Sequence, residues 1–140
     1  EKLQGQMTSG VCSIAQKAAY AALHFNLSAV YRMQAEFQRR RDLLMQMVDE
    51  KLPKLTYIKP EGAFYLFPDV SHYFGKKTAD GNMIENDVQL CEYLLEEAGV
   101  ALVPGSAFGN EKHVRISFAT DTNTLERAVD RMQSAFKKLQ

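Results

Sequence analysis

The amino-acid sequence predicts an α+β domain. It should hold a small, mostly antiparallel sheet of about three to four strands, with helices packed on one side and an N-terminal helical segment ahead of it. Three observations lead there. Apolar residues recur at helical spacing in three long runs, the cleanest being Leu125, Ala128, Val129, Met132, Phe136 and Leu139. Short apolar or alternating runs at 55–58, 63–67, 100–103 and 112–119 lie between turn-forming residues. The resulting order is helix, helix, strand, strand, helix, strand, strand, helix, with strands joined by short turns rather than by helical crossovers.

The 140 residues are enough for one domain that buries roughly two thirds of its unfolded surface. Seventeen basic and seventeen acidic residues cancel, so bulk charge points to neither a nucleic acid nor a membrane surface. The two cysteines, Cys12 and Cys91, are far apart in helix-like stretches and read as small buried hydrophobes rather than a disulfide. No apolar run approaches the roughly 20 residues of a membrane span and no signal peptide is visible, so a cytoplasmic location is expected. The chain opens at Glu1, without methionine and in a polar stretch, as a piece of a longer protein would.

Residues 2–10, with Gly, Ser, Thr and Gln, read as loop. Ser13 and Gln16 then form a capping-box pattern before a helix over 14–25. Its many alanines suit either close packing or simple helix propensity. Ser28 starts a second helix with Val30, Met33, Phe37, Leu44 and Met47 on one face. The Arg39-Arg40-Arg41 run on its other face is interspersed with acids and reads as a solvated surface, not a polyanion site. Leu52-Pro53 ends that helix. A strand over 55–58 leads to the turn Lys59-Pro60-Glu61-Gly62, where Gly62 is free to take a positive φ. The strand over 63–67 either pairs back as a hairpin or is only re-aimed by the turn. Residues 70–85 read as an exposed, mobile loop, either a lid or a surface excursion. Asn86 and Gln89 mark the next helix start and Gly99 its end. Asp121 or Thr122 caps the last helix, and Lys137 and Lys138 suit its C-terminal dipole.

The residue most out of place is Arg115. Val114, Ile116 and Phe118 alternate on one face of its strand, with Arg115, Ser117 and Ala119 on the other. A guanidinium offers a planar fork of donors that matches a carboxylate or phosphate two bonds at a time. Its anion could be an internal Glu, a surface partner or a substrate. Two loops that combine glycine with aromatics, residues 61–65 and 104–109, could border such a site. Other catalytic patterns are absent: no dinucleotide or phosphate-binding glycine loop, no nucleophile elbow, and no His or Cys spacing for a metal.

Four blocks, in order, carry a resemblance. They are Pro60-Glu61-Gly62-Ala63-Phe64-Tyr65-Leu66-Phe67, Leu94-Leu95-Glu96-Glu97-Ala98-Gly99-Val100, Val103-Pro104-Gly105-Ser106-Ala107-Phe108-Gly109, and Val114-Arg115-Ile116-Ser117-Phe118-Ala119. Together they resemble the C-terminal part of fold-type I, pyridoxal-phosphate-dependent aminotransferases of class I, most of all the bacterial aspartate enzymes. The opening residues 4–10 and 13–16 resemble that family too. The resemblance implies residues 1–27 as the loop and alanine-rich helix leading in from a missing large domain, and 28–140 as the small C-terminal domain.

The same resemblance implies roles. Arg115 would grip the substrate α-carboxylate, with Gly62 and Phe64 beside the substrate. Thr8 and Ser9 would lie near the cofactor of a neighbouring subunit in a homodimer. The substrates would be an amino acid, aspartate by closeness of resemblance, and a 2-oxo acid. The family's cofactor-binding lysine, stacking aromatic and pyridine-pairing Asp match nothing here, and none of Lys17, Lys51 and Lys54 lies in the required motif. The chain is therefore expected to hold no catalytic residue and no bound pyridoxal phosphate, and to be inactive alone. The rival reading is a non-catalytic α+β module that binds a small acid and regulates a neighbour.

Overall fold

The computed structural model describes residues 2–140, except for the side chains of Gln4 and Thr8. By internal packing the chain divides into Glu1–Gln34 and Ala35–Gln140. The first unit holds α1 (Lys2–Thr8), α2 (Ser13–His24) and the start of α3 (Ser28–Lys51). The second holds the rest of α3, β1 (Tyr65–Leu66), α4 (Asp87–Ala98), β2 (Val103–Pro104), β3 (Val114–Ser117) and α5 (Thr122–Phe136). The α+β expectation holds, with a three-stranded antiparallel sheet ordered β1-β3-β2. Among the described residues no helix is long and apolar enough to cross a membrane.

Several local expectations need correction in the first unit. Lys2–Thr8 is helical, not loop. Leu3, Gln6 and Met7 are good helix formers and outweigh Gly5, and the helix stops where Ser9 turns left-handed at φ 59°. Cys12, not Ser13, is the residue preceding α2, and no side chain caps it. Ser13 already lies inside the helix, and Gln16 Nε2 donates instead to the Val11 carbonyl (2.7 Å). Cys12 is exposed rather than buried, and both cysteines are free thiols. The Asn26 side chain accepts from the Ser28 N–H (2.7 Å), which gives α3 its start.

The second unit holds the core. Leu44, Met47 and Val48 of α3, Leu90 and Leu94 of α4, and Leu125, Val129, Met132 and Phe136 of α5 pack with Leu66, Val114, Ile116 and Phe118. Three amphipathic helices thus cover one face of the sheet. The α4 start follows the expected chemistry: Asn86 accepts from Gln89 N–H (3.0 Å), and the Gln89 side chain accepts from Glu85 N–H (2.7 Å). Gly99 closes α4 at φ 62°. Asp121, rather than Thr122, caps α5 by accepting from Thr124 N–H (2.9 Å). Lys138 pairs with Glu97 of α4 instead of only facing its own helix end. The arginine run is neutralised locally: Arg39 and Arg40 pair with Glu36, and Arg41 pairs with Asp42 and donates to the Pro60 carbonyl.

The strands are shorter than their apolar runs. Residues 55–58 contribute only the single bridge Thr56–Asp69, so no hairpin forms and the turn re-aims the chain. The positive φ of that turn falls on Ala63 (59°), not on Gly62. Of residues 100–103 only Val103 joins a strand, with Pro104 beside it, and proline is tolerated because β2 is an edge. Residues 70–85 are pinned rather than a free loop. Val70, Tyr73 and Ile84 are buried, Tyr73 stacks on Phe136 at 3.9 Å, and Lys77 exchanges backbone hydrogen bonds with Gln140.

A Cβ on Gly105 would lie 2.3 Å from the Asn110 carbonyl oxygen and 2.4 Å from that of His113, whereas one on Gly62 would meet open space. Gly105→Ala is expected to lower the unfolding free energy by about 1–3 kcal/mol or more, and Gly62→Ala to change it by less than about 1 kcal/mol; urea unfolding of both variants checks the contrast. Asp69 bridges Thr56 and His113 and accepts from the Ser71 N–H (2.8 Å) and hydroxyl (2.6 Å). Burial pushes its carboxyl up, but the Ser71 bonds outweigh that, and the net shift is downward. The folded value lies below the unfolded one, so this stabilisation is full above the ordinary carboxylate range and fades as pH falls through the lowered value. Asp69→Asn is expected to flatten the acid limb of the stability–pH curve below about pH 4, and an unchanged limb would show that other carboxylates set it.

Candidate functional site

β3 is the central strand, and its side chains alternate between two environments. Val114 and Ile116 face the core at 0% and 6% exposure, and Phe118 continues that face. Arg115 and Ser117 lie on the opposite face. Tyr65 pairs with Ser117 and Leu66 with Ile116, so Leu66 joins the core while Tyr65 shares the outer face with Arg115. On the other side Val103 pairs with Arg115. The outer face is thus a half-exposed surface with one positive charge at its centre.

Two aromatic rings attend that charge. The Arg115 Cζ lies 4.6 Å from the ring centre of Phe108 and 5.5 Å from that of Tyr65, both within cation–π range. Among the described residues Arg115 has no ion pair and no side-chain hydrogen bond, so no internal Glu or Asp answers it. The fork of donors remains available to an anion from outside the fold. Chemically, the arrangement can hold a carboxylate or phosphate, and no group beside it is built to break a bond. Among the described residues no cluster of three or more His, Cys, Asp or Glu is placed for a metal.

The other site residues named from sequence fall in different places. Phe64 is half exposed, and its ring lies 6.3 Å from that of Phe37 rather than against Arg115. Its carbonyl accepts from Phe118 N–H (2.8 Å), so its backbone does hold the sheet edge. Gly62 has open space around it. Ser9 is exposed at a left-handed backbone position, and the side chain of Thr8 lies outside the described residues. Both belong to the first unit.

Tyr65 and Phe108 come from the two glycine-and-aromatic loops, 61–65 and 104–109, that the sequence placed around Arg115, and both rings do lie beside it; Asp87 was not singled out by sequence reasoning. Tyr65 was legible in principle, since its register follows once β1 is paired with β3. Asp87 is 1% exposed, and its Oδ2 accepts from the Ser106 N–H (2.7 Å). An aspartate in the first turn of a helix is usual, so nothing in the sequence marks this one as buried.

The chain is thus an α+β lobe that presents one aromatic-flanked arginine, without an ion pair among the described residues, on the outer face of its sheet. The family model "Aminotransferase class I and II" matches residues 1–132, and the chain belongs to that family. It is 44% identical over 137 residues to a bifunctional aspartate aminotransferase and glutamate/aspartate-prephenate aminotransferase from Petunia hybrida, covering 96% of this chain and 28% of that protein. It is 44% identical over 140 residues to a probable aspartate/prephenate aminotransferase from Rickettsia prowazekii, covering 98% of this chain and 34% of that one. The crystal structure of an aspartate aminotransferase from Rhizobium meliloti superposes with a TM-score of 0.88 at 40% identity, over 99% of this chain and 34% of that chain. The chain therefore spans about a third of the length of such relatives.

For pyridoxal phosphate, the cofactor implied by this family, the described residues offer little. Ser9 presents a hydroxyl with no hydrogen bond among the described residues, which is one contact. A phosphate monoester is held by several donors at once. The described residues would supply only part of a site for the group, with the remaining donors coming from outside this chain.

Proposed function

We propose that this chain is the small C-terminal domain, residues 28–140, with its lead-in segment, residues 1–27, of a pyridoxal-phosphate-dependent aminotransferase. In the complete enzyme it serves the transfer of an amino group between an amino acid, aspartate foremost, and a 2-oxo acid. Arg115 binds the substrate α-carboxylate. The observation that carries this reading is a guanidinium without an ion pair among the described residues, at the centre of the sheet's outer face and flanked by Tyr65 and Phe108. The names of the similar proteins support aspartate as the substrate.

The chain's own contribution is binding and orientation. Two parallel N–H···O bonds from one guanidinium fix both the position and the plane of a carboxylate. Fixing the α-carboxylate limits how the rest of the amino acid can turn, which sets the reacting carbon for groups on the remainder of the enzyme. The cofactor supplies the electron sink for that chemistry when bound. Gly62 and Phe64 border the substrate, and Thr8 and Ser9 approach the cofactor across a homodimer interface. The fragment alone is inactive, and the full enzyme is cytoplasmic.

Arg115→Lys in the complete enzyme is expected to lower kcat/KM for amino-acid and 2-oxo-acid substrates alike by roughly 10- to 100-fold, the worth of a charged bidentate contact that an ammonium cannot reproduce. Steady-state kinetics in both directions measures it. Near-parental efficiency would overturn the assignment. Loss of small-acid binding with transamination intact would favour a non-catalytic, acid-sensing role for this lobe instead.

A further inference from the structure

We propose that Asp87 and Phe108 are positioning residues for Arg115: the buried carboxylate fixes the turn Gly105–Phe108, and the turn holds the Phe108 ring against the guanidinium so that its donors meet a carboxylate in one orientation. The inference rests on Arg115 being the α-carboxylate clamp.

Arg115 needs such support because, among the described residues, nothing hydrogen-bonds its side chain. An arginine carries several rotatable bonds, and an unrestrained one loses that freedom on each binding event. The two nearby rings are what limit it. Tyr65 is placed by the sheet, since its partner Ser117 fixes the register. Phe108 lies outside the sheet, on the 3-10 turn Gly105–Phe108, and is itself half exposed. Its position depends on what holds the turn.

Several features hold it, among them the Asn110 N–H bond to the Gly105 carbonyl (3.1 Å). Gly105 is pressed against the neighbouring loop so closely that a Cβ would collide with the Asn110 and His113 carbonyls, and its N–H donates to the His113 carbonyl (2.8 Å). Ser106 N–H donates to the Asp87 carboxylate (2.7 Å). Gly109 reverses the chain at φ 79°, directly after Phe108. The ring then meets the edge of Phe67 at 6.2 Å and 89°, and Phe67 stacks on His113 at 5.0 Å. Among the described residues the buried His113 Nδ1 has no hydrogen-bond partner, and the ring stacks on Phe67.

Asp87 is the unusual member. At 1% exposure it is the one buried charged residue among those described. Burying a carboxylate is costly, and a surface turn could be held by a neutral serine or asparagine. The first turn of α4 lowers that cost, because free helix N–H groups favour negative charge there. A buried charge-assisted bond is also less forgiving of displacement than a solvated one. The turn that carries Phe108 is therefore tied to the helix layer, behind the sheet, rather than to the solvent side.

The test uses the complete enzyme loaded with cofactor. Phe108→Leu removes the ring but keeps apolar bulk, and Phe108→Tyr keeps the ring. Asp87→Ala removes the acceptor, and Asp87→Asn keeps one. Propanoate serves as a competitive probe of the carboxylate clamp, with Arg115→Lys as reference. Phe108→Leu and Asp87→Ala are expected to raise the propanoate inhibition constant and the KM by roughly 2- to 30-fold, the range set by a lost cation–π contact. The factor should be the same for substrates with different side chains. Phe108→Tyr should stay near the parent, and Asp87→Asn, which keeps an acceptor but loses the charge, should raise both constants by less than Asp87→Ala; an Asp87→Asn equal to the parent overturns the role of the charge. If Phe108→Leu lowers the melting temperature but leaves both constants unchanged, the ring is only structural and the proposal fails. If Arg115→Lys leaves propanoate inhibition unchanged, the clamp reading itself fails; a large Arg115→Lys effect beside a silent Phe108→Leu overturns the positioning role alone. Should Asp87→Ala not fold, the Phe108 pair and Asp87→Asn still decide.

Discussion

The register of β3 is the constraint on which the rest depends. Its side chains alternate, so Val114, Ile116 and Phe118 can enter the core only if Arg115 points away from it. A slip of one residue would send the guanidinium inward and three large apolar groups into water. The central place of β3 holds that register from both sides, through Tyr65–Ser117 and Leu66–Ile116 on one edge and Val103–Arg115 and Pro104–Val114 on the other. The core therefore does more than stabilise the domain. It determines which face of the sheet carries the charge.

The helices then divide their work by what they present to the sheet. α3 and α5 supply apolar surface almost alone: Leu44, Met47 and Val48 from one, Leu125, Val129, Met132 and Phe136 from the other. α4 adds Leu90 and Leu94 but also sends the buried Asp87 toward the turn before β3. Layer and site are joined at that point, because the same helix that covers the sheet also anchors a loop on its outer side.

Much of what depends on period or on a local side-chain bond was legible in the sequence, though Val30 and Met33 of the expected α3 face are exposed and the Ser13–Gln16 cap does not form. The alternation around Arg115, the face of α5, and the caps Asn86 and Asp121 all have partners within four residues, and each appears where the pattern puts it. Features that depend on distant partners were not legible. Tyr73 sits in a stretch without any period; it stacks on Phe136, and Lys77 of the same stretch pairs with the chain's last residue. The strand lengths were overestimated because apolar runs mark burial, whereas a ladder also needs a neighbour in register. The positive φ at Ala63 rather than Gly62 is a further case: the sequence shows which residue tolerates that conformation, not which one the re-aimed chain requires.

The physical limit on the site is dielectric. A carboxylate 4 Å from a guanidinium gains only about 1 kcal/mol in bulk water and several times more where water is thinned out. Phe108 and Tyr65 exclude part of that water, yet Phe108 is 52% and Tyr65 39% exposed, so the face remains open. On so open a face a carboxylate would be held weakly, and more strongly if another surface covered it. On the proposed reading the rings flanking Arg115 would serve twice: restraining the guanidinium while the face is open and excluding water once it is covered. A sheet with its charge on the outer face, and its core wholly behind it, suits a binding surface that must meet a second one.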